Sequence, residues 1–164
     1  YDVVCEMDAD GSHRPEELPA LLARLEGEPR VDLVIGARWV PGGKVVNWPV
    51  HREILSRGAN VYTRVMLGLG VGDATGGFRA FRAPMLGRLE LSSVASHGYC
   101  FQVDMTMRVI DAGGAVGEVP ITFVEREAGV SKMSRSIIVE ALGKVTLWGL
   151  QRRGRQVARV FSRR

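Results

Sequence analysis

The chain has 164 residues, of which 46% are hydrophobic and 24% charged, and its mean hydropathy is +0.03. This composition is typical of one globular domain and argues against a disordered, collagen-like or coiled-coil chain. Charged residues interrupt every apolar run of about 18 residues, which argues against a membrane-spanning helix.

The net charge of +4 is unevenly distributed along the chain. Residues 1–125 carry 12 Lys and Arg against 16 Asp and Glu, whereas residues 126–164 carry 10 against 2. The segment 151–164 holds six arginines and no acidic residue. Such a basic end suits an anionic partner, either a lipid surface or a nucleic acid, and it is equally consistent with a solvated disordered tail.

The predicted elements alternate between strands and helices, which indicates an α/β fold in which helices cover a sheet. The residue pattern predicts strands at 2–7, 31–38, within 73–82 and at 115–123. It predicts helices at 15–26, 52–69, 99–113 and 136–153, with a helical turn at 83–89. The segment 39–49 combines Pro, Gly and two tryptophans, which favours an ordered loop with aromatic anchors.

Cys5 and Cys100 are too few and too far apart in sequence for a disulfide scaffold or a four-ligand zinc site. We therefore expect reduced thiols in a cytoplasmic protein. His13, His51 and His97 show neither an HExxH motif nor a paired metal-ligand spacing. We expect these histidines to be surface or capping residues rather than zinc ligands or members of a catalytic triad.

Asp8 and Asp10 follow directly on the first predicted strand. Residues i and i+2 of an extended chain point to the same side, so the two carboxylates share one space. At a separation of about 6 Å they repel each other by about 2–3 kcal/mol, which a bound Mg²⁺ or Mn²⁺ would reverse. Such ions combine one or two carboxylates with substrate phosphates, although a D-x-D triplet alone also occurs in loops that bind no metal.

The segment DATGGFRAF combines glycine with charged side chains. Gly76 and Gly77 allow a backbone to approach a ligand closely, and Asp73 and Arg79 bring opposite charges beside them. A plain turn between a helix and a strand explains the two glycines equally well.

The segment 125–134 is predicted to be a polar loop that contains Arg126, Ser131 and Lys132. These side chains suit a mobile loop that closes over a phosphate, and taken alone they are equally consistent with a simple basic loop.

In their joint order these segments closely resemble the family 2 glycosyltransferases of the polyprenol-phosphate or dolichol-phosphate mannose synthase type. The matching sequences are DADGSHRPEEL, GARWVPGG, NWP, DATGGFRAFR, SHGYCFQVDM and EVPITFVEREAGVSKMS, in that order along nearly all of residues 2–150. VVNWP, SHGYCFQVD and GVSKMS are most similar to the actinobacterial enzymes of this type. The resemblance implies a GT-A type fold, a Rossmann-like mixed sheet flanked by helices, of which the chain holds the C-terminal part. It also implies inverting transfer of mannose from GDP-mannose to a polyprenyl phosphate.

The resemblance further implies roles for individual residues. Asp8 and Asp10 match the DxD ligands of the metal that bridges to the donor diphosphate, and Ser12 stands where dolichol relatives have Gln. The implied ligands of the acceptor phosphate are Arg38, Arg52 and Ser56. The implied donor-binding residues are Asp8, Asp10, Asp73, Gly77, Arg79, Gln102, Arg126 and Lys132, with Ser131 in the closing loop. The residues implied to carry catalysis are Asp10, Arg38, Arg52 and Arg126.

Relatives of this type have a further segment before the DxD strand, which forms the first half of the domain and the guanine pocket. Because the chain begins at Tyr1 without a leader-like segment, we expect residues 1–150 to be a GT-A domain that lacks its N-terminal nucleotide-binding half. Residues 151–164 would then be a basic C-terminal tail. We expect the isolated chain to expose one sheet edge and apolar surface, and to bind GDP-mannose weakly or not at all.

The implied location is the cytoplasmic face of a membrane, with peripheral contact and a membrane-anchoring partner protein or fused domain as a further expectation. Two alternatives remain open. Glucose or another sugar could be transferred to the same lipid phosphate, or the chain could be a non-catalytic basic module that binds membranes or nucleic acid. No RNA-binding signature accompanies the arginines, so we expect no nucleic-acid partner.

Overall fold

A computed structural model of the chain describes residues 1–93, 99–125 and 135–161. The strands are β1 Val3–Glu6, β2 Val31–Ala37, β3 Lys44–Val46, β4 Arg79–Arg82, β5 Ala115–Pro120 and β6 Thr122–Val124. The helices are α1 Leu18–Gly27, α2 Val50–Leu67, α3 Ala83–Arg88, α4 Tyr99–Asp111 and α5 Arg135–Phe161. Short 3-10 turns lie at Pro15–Glu17 and Leu91–Ser93.

Four strands form a mixed sheet in the order β1-β4-β2-β5. β4 runs antiparallel to both β1 and β2, and β2 is parallel to β5, so β1, β2 and β5 all run in the same direction. The carboxyl ends of these three strands therefore lie together where β4 begins, and we call this the carboxyl edge of the sheet. β3 and β6 pair in a separate parallel ribbon beyond this edge.

The sheet separates two hydrophobic cores, because successive side chains of β2 point to opposite faces. On one face, Leu21 and Leu25 of α1 pack with Val34 of β2. On the other face, Leu33 and Ile35 of β2 pack with buried side chains of α2, α4 and α5, which are Leu67, Val103, Met105, Val109 and Val145. The predicted α/β arrangement, a mixed sheet flanked by helices, is thereby confirmed.

The predicted elements are present, with three differences in extent. The loop predicted at 39–49 contains β3. Residues 44–46 form a strand because they pair in parallel with β6, which is distant in sequence. The strand predicted at 115–123 is divided after Pro120, where the chain leaves the main sheet for the ribbon. α5 continues beyond its predicted end at residue 153 to Phe161, since one glycine, Gly154, is tolerated in a helix and no proline follows it.

β1 lies at the edge of the sheet and pairs only with β4 within the described part of the chain. Val4 and Met7 are 43% and 42% exposed, and Cys5 is also exposed. Among the described residues, the structure therefore has the expected open sheet edge with exposed apolar side chains.

Helices α2 and α5 cross at a glycine. A Cβ atom at Gly149 would lie 2.7 Å from the carbonyl oxygen of Met66, closer than side chains approach a backbone. Beside the crossing, the Tyr62 hydroxyl lies 2.6 Å from the Thr146 hydroxyl. This close approach fixes α5 against α2, and the two helices contribute walls of the cleft described below.

Gly149→Ala should lower the free energy of unfolding by about 1–3 kcal/mol, because the backbone at Met66 must move to admit the methyl group. Gly143→Ala on the same helix is the matched control. No atom lies within 4 Å of its Cβ position, so this alanine should stabilise the chain by roughly 0.5–1 kcal/mol. Urea unfolding followed by circular dichroism measures both values, and an unchanged value for Gly149→Ala would contradict the close crossing.

Candidate functional site

The carboxyl ends of β1, β2 and β5 bring most of the predicted site residues to one edge of the sheet. Asp8 and Asp10 follow β1, and Arg38 follows β2. The loop 72–77 reaches the same edge just before β4 begins. The first turns of α2 add Arg52 and Ser56. The topology therefore gathers residues that are far apart in sequence.

A buried ion pair joins Arg38 to Asp73. The Nε and Nη2 atoms of Arg38 each lie 2.8 Å from a carboxylate oxygen of Asp73, and the backbone N–H of Arg38 donates to the same carboxylate at 2.9 Å. Arg38 is 5% exposed and Asp73 is fully buried. Burial by itself would raise the pKa of Asp73, but the charge and hydrogen bonds of Arg38 outweigh it and hold the pKa below its usual value.

The loop 72–77 is held by side chains that the sequence analysis did not single out. Glu118 of β5 accepts hydrogen bonds from two backbone N–H groups of the loop at 2.9 and 2.8 Å. Asn60 of α2 donates to the Asp73 carboxylate at 3.2 Å and to the Thr75 hydroxyl at 3.0 Å. The available signals were an acidic residue inside a strand and an asparagine on the buried face of a helix, both uncommon places for these residue types.

Arg79 supports the same loop with a fully buried side chain. It donates to the backbone oxygens of Gly76 at 2.7 Å, Ala74 at 2.8 Å and Gln102 at 2.9 Å. Burial lowers the pKa of Arg79 to about 10, which leaves the group charged at neutral pH. Arg79 thus connects the loop to α4, and direct contact with a donor would require the loop to rearrange.

Gln102 connects α4 to the end of β1. Its side-chain nitrogen Nε2 lies 2.5 Å from Oε1 of Glu6. Its side-chain oxygen is buried and has no hydrogen-bond partner within residues 1–93, 99–125 and 135–161. The role of Gln102 on the donor side stays a prediction.

Asp8 and Asp10 lie in the turn after β1. The Asp8 side chain is 56% exposed, whereas Asp10 is half-buried. One Asp10 carboxylate oxygen accepts hydrogen bonds from the backbone N–H of Ser12, at 3.1 Å, and from the Ser12 hydroxyl. Gly77 lies beside Asp8, since a Cβ atom at Gly77 would stand 3.6 Å from both Asp8 carboxylate oxygens. The loop 72–77 therefore borders the acidic pair.

His13 is 3% exposed, so the prediction of a surface or capping residue was wrong for this histidine. Its ring packs against Phe78 and Phe123, with centroids 5.2 and 5.0 Å away. Its Nδ1 accepts a hydrogen bond from the backbone N–H of Asp8 at 3.2 Å, and burial lowers its pKa. A neutral, buried imidazole therefore holds the turn that carries Asp8.

The acidic pair fits a hard divalent cation such as Mg²⁺ or Mn²⁺ in its chemistry. Asp8 and Asp10 offer carboxylate oxygens, and the exposure of Asp8 leaves room for phosphate oxygens in the same coordination sphere. No group of three or more His, Cys, Asp and Glu side chains converges as a metal site among the described residues. Asp8 and Asp10 are therefore the described residues that could hold such a cation, and a complete coordination sphere would need further ligands.

A cleft between α2, α4 and α5 opens beside the Arg38–Asp73 pair. Arg38, Arg52 and Trp48 line it near the start of α2. The remaining wall is mainly apolar and consists of Leu55, Ser56, Ala59, Tyr62, Thr63, Thr75, Cys100, Val103, Ile138, Ala141, Leu142 and Val145. The cleft therefore has a cationic end, lined by Arg38, Arg52 and Trp48, and an apolar channel.

Arg52 is held at this cleft by an ion pair and by stacking. Its Nη1 lies 2.7 Å from Oε1 of Glu125, and its guanidinium carbon lies 4.1 Å from the centroid of the Trp48 ring. Ser56, one helical turn further on, accepts a hydrogen bond from the indole N–H of Trp39 at 3.3 Å. The structure thus brings all three predicted ligands of the acceptor phosphate to one cleft.

Phe123 connects the acidic and basic parts of the site. Its ring centroid lies 5.0 Å from that of His13 and 5.3 Å from that of Trp48, and the Arg38 guanidinium lies 5.4 Å from it. The turn that carries Asp8 and the cationic end of the cleft therefore flank one aromatic side chain.

Three predicted site residues, Arg126, Ser131 and Lys132, lie outside the residues that the structure describes, as does His97. Their roles stay predictions.

Comparison with known proteins identifies the family. The sequence profile of glycosyl transferase family 2 matches residues 1–89. The chain belongs to this family. Two relatives are each 56% identical over 153 residues, or 93% of this chain: the polyprenol monophosphomannose synthase of Mycolicibacterium smegmatis and the undecaprenyl-phosphate mannosyltransferase of Micrococcus luteus. The chain spans 57% and 62% of the lengths of these two relatives.

The fold of this family 2 glycosyltransferase chain is similar to that of a solved enzyme. Glucosyl-3-phosphoglycerate synthase from Mycobacterium tuberculosis, in complex with uridine diphosphate, matches with a TM-score of 0.59 at 20% identity. The match covers 93% of this chain and 50% of that enzyme. The predicted GT-A type fold is thereby confirmed.

Asp73→Asn should lower the free energy of unfolding by about 3–5 kcal/mol, because it leaves the buried Arg38 without its counter-ion. Since the folded pKa of Asp73 lies below its usual 3.8, this loss should be equal at pH 7.5 and pH 5. The destabilisation should become smaller only below about pH 3.8, and it should disappear as the pH falls through the pKa of Asp73 in the folded chain. Urea unfolding at several pH values measures the difference.

The control for Asp73→Asn is Glu53→Gln, which breaks an exposed pair with Arg57 on α2. This change should cost no more than about 0.5 kcal/mol. The prediction is contradicted if the free energies of unfolding of the wild type and Asp73→Asn already approach each other between pH 7.5 and pH 5. That result would show that Asp73 takes up a proton in that range.

Proposed function

We propose that this chain is the acceptor-binding part of an inverting mannosyltransferase that uses GDP-mannose and a polyprenyl phosphate. The observation that carries the proposal is the cleft in which Arg38 and Arg52 adjoin an apolar channel. A polyprenyl phosphate has the same division into an anionic head group and an apolar chain. The names of the two relatives support the same class of acceptor. They are a polyprenol monophosphomannose synthase and an undecaprenyl-phosphate mannosyltransferase.

The acceptor phosphate is the nucleophile of the proposed reaction. Its oxygen is ionised at neutral pH, so the enzyme needs neither a strong general base nor a nucleophile of its own. Arg38 and Arg52 orient the head group and screen its charge, and the Ser56 hydroxyl lies on the same cleft wall. Because Asp73 holds the Arg38 guanidinium in place, little ordering of that side chain remains for the acceptor to cause.

In the proposed step, an oxygen of the acceptor phosphate forms a bond to the anomeric carbon of mannose. The bond from that carbon to the diphosphate breaks, and its electron pair leaves with GDP, so a single displacement inverts the configuration. Asp8 and Asp10 would hold Mg²⁺ or Mn²⁺, a cation that supplies charge neutralisation for the departing diphosphate. Ser12 keeps the Asp10 carboxylate in place through its two hydrogen bonds.

We assign the sugar side of the site to the loop 72–77. This loop contacts the acidic pair at Gly77 and the acceptor cleft through Asp73 and Thr75. Asp73 and Arg79 are buried and act as positioning residues for the loop, whereas Gly77 lies beside the Asp8 carboxylate. Gly77 is therefore the member of this group best placed to contact a donor hexose.

We further propose that α2 and α5 contact the cytoplasmic face of a membrane, since the acceptor lipid resides in a bilayer. Both helices carry exposed apolar side chains along their length. They are Val50, Ile54, Val61 and Val65 on α2, and Val139, Leu142, Leu147 and Leu150 on α5. Exposed arginines border them, at Arg57, Arg64 and Arg153. This combination is typical of helices that lie in the interface of an anionic membrane. No helix in the described ranges is long and apolar enough to cross a bilayer.

The reaction is tested by joining this chain to the part of the M. smegmatis relative that it does not span. The readout is transfer of radiolabelled mannose from GDP-mannose into a lipid extract. Asp10→Ala should reduce transfer by about 100-fold or more, because the several kcal/mol supplied by the cation are lost with its ligand. EDTA should abolish transfer, and Mg²⁺ or Mn²⁺ should restore it.

Asp111→Asn is the matched control, because Asp111 is half exposed, pairs with Arg152 and lies outside the site. It should leave transfer unchanged. Full transfer by Asp10→Ala would contradict the metal assignment, and a preference for a glucose donor over GDP-mannose would contradict the assigned sugar.

Membrane contact is tested by sedimentation of the chain with vesicles that contain anionic phospholipid. Replacing both Val61 and Val65 by Glu should weaken binding by about tenfold or more, because two apolar contacts are lost and two negative charges are added. Val4→Glu, an equally apolar exposed position on β1, is the control and should change binding little. Equal vesicle binding by the double variant would refute the assigned face.

A further inference from the structure

Two buried N–H donors at the cationic end of the cleft lack hydrogen-bond partners. They are the indole Nε1 of Trp48 and the Nε of Arg52, and neither has an acceptor within the described residues. Buried donors are nearly always paired in native proteins. Solvent does not reach either nitrogen in these stacked side chains, so a ligand that supplies their acceptor must first displace the side chains that cover them. Both residues line the cleft that Arg38 also lines.

The carboxylates of Glu125 and Asp73, which pair with the two arginines of the cleft, are already engaged. The Glu125 carboxylate receives Nη1 of Arg52 and not its Nε, and the Asp73 carboxylate receives Arg38. The neighbouring Trp39 provides a contrast, because its indole N–H has a partner in the Ser56 hydroxyl at 3.3 Å. Trp48 therefore differs from Trp39 in having a buried donor that the described residues leave unsatisfied.

We propose that Trp48 is a further ligand of the acceptor head group, and that its indole N–H donates to a phosphoryl oxygen of the polyprenyl phosphate. This inference rests on the proposed acceptor function of the cleft. Phosphoryl oxygens accept hydrogen bonds and do not donate them, and one head group offers several such oxygens. The head group can thus satisfy Trp48 and the Nε of Arg52 together.

This assignment makes Trp48 a residue that distinguishes a lipid phosphate from the corresponding lipid alcohol. A hydroxyl carries no negative charge, so its hydrogen bond to the indole is weaker than that of a phosphate. In this structure the ring of Trp48 is stacked on the guanidinium of Arg52 and packs edge to face on Phe123, with ring centroids 5.3 Å apart. The N–H and the ring face therefore have separate tasks, which substitution can separate.

The chain contains three tryptophans, so a ¹⁵N–¹H spectrum of it has three indole signals, which Trp→Phe variants assign. The probe is farnesyl phosphate, with farnesol and inorganic phosphate as comparisons. We expect farnesyl phosphate to shift the Trp48 indole signal downfield. Trp148 on α5, which does not line the cleft, should keep its signal unchanged.

Trp48→Phe keeps an aromatic ring on Arg52 and removes the donor, and it should weaken the binding of farnesyl phosphate about tenfold. Replacing Trp48 by benzothienylalanine, which keeps the bicyclic ring and has sulfur in place of N–H, should give the same loss even if the smaller Phe packs poorly. Trp148→Phe is the matched control and should leave the affinity unchanged. Calorimetry or the same NMR titration measures all three.

The outcomes separate this inference from the proposed function. If farnesyl phosphate binds the wild type and Arg52→Ala weakens it, while Trp48→Phe and the benzothienyl variant bind normally, Trp48 is no ligand and the acceptor function stands. If farnesol shifts the Trp48 signal as much as farnesyl phosphate does, the phosphate assignment is overturned. If farnesyl phosphate does not bind the wild type at all, the proposed acceptor function falls and this inference with it.

Discussion

The buried ion pair of Arg38 and Asp73 is the constraint on which the site depends. Moving two charges out of water costs several kcal/mol for each ion, and only close pairing with further hydrogen bonds compensates for that cost. Here the Asp73 carboxylate also receives the backbone N–H of Arg38 and the side chain of Asn60. The end of β2, the helix α2 and the loop 72–77 are thereby joined into one unit. In the proposed function, the acceptor cleft and the donor side therefore have a fixed relation.

The second ion pair at the cleft, between Arg52 and Glu125, is different in kind. Its side chains are 12% and 28% exposed, whereas those of Arg38 and Asp73 are 5% and 0% exposed, so the Arg52–Glu125 pair is the more accessible of the two. A doubly charged phosphate at Arg52 can therefore compete with the single carboxylate of Glu125. Arg38 cannot exchange its partner in this way without leaving Asp73 buried and unpaired. In the proposed function, Arg38 faces the head group while it keeps its pair with Asp73, and Arg52 is the arginine that can exchange its carboxylate for the acceptor.

Sequence reasoning reached the parts of the site that depend on local pattern. The apolar run before Arg38 predicted β2, and the first apolar run predicted the strand that Asp8 and Asp10 follow. The pairing of Arg38 with Asp73, 35 residues away, was beyond local reasoning because it requires β4 to lie between β1 and β2. His13 was predicted to be a surface or capping residue because it shows neither an HExxH motif nor a paired metal-ligand spacing. Distant aromatic side chains cover it instead, and nothing in the local pattern indicates them.

Helix α2 carries three tasks on three faces, and its regular geometry fixes their relation. Arg52, Ser56 and Thr63 face the cleft, Asn60 beside them reaches the buried network of Asp73, and the stripe that includes Val61 and Val65 faces outward. With 3.6 residues per turn, these faces are separated by rotation around one axis and not by distance along the chain. In the proposed function, a lipid could therefore slide from the membrane-facing stripe into the cleft beside the same helix. Its phosphate would reach Arg52 at the start of α2 while much of its apolar chain stayed near the bilayer, so little apolar surface would be exposed to water during capture.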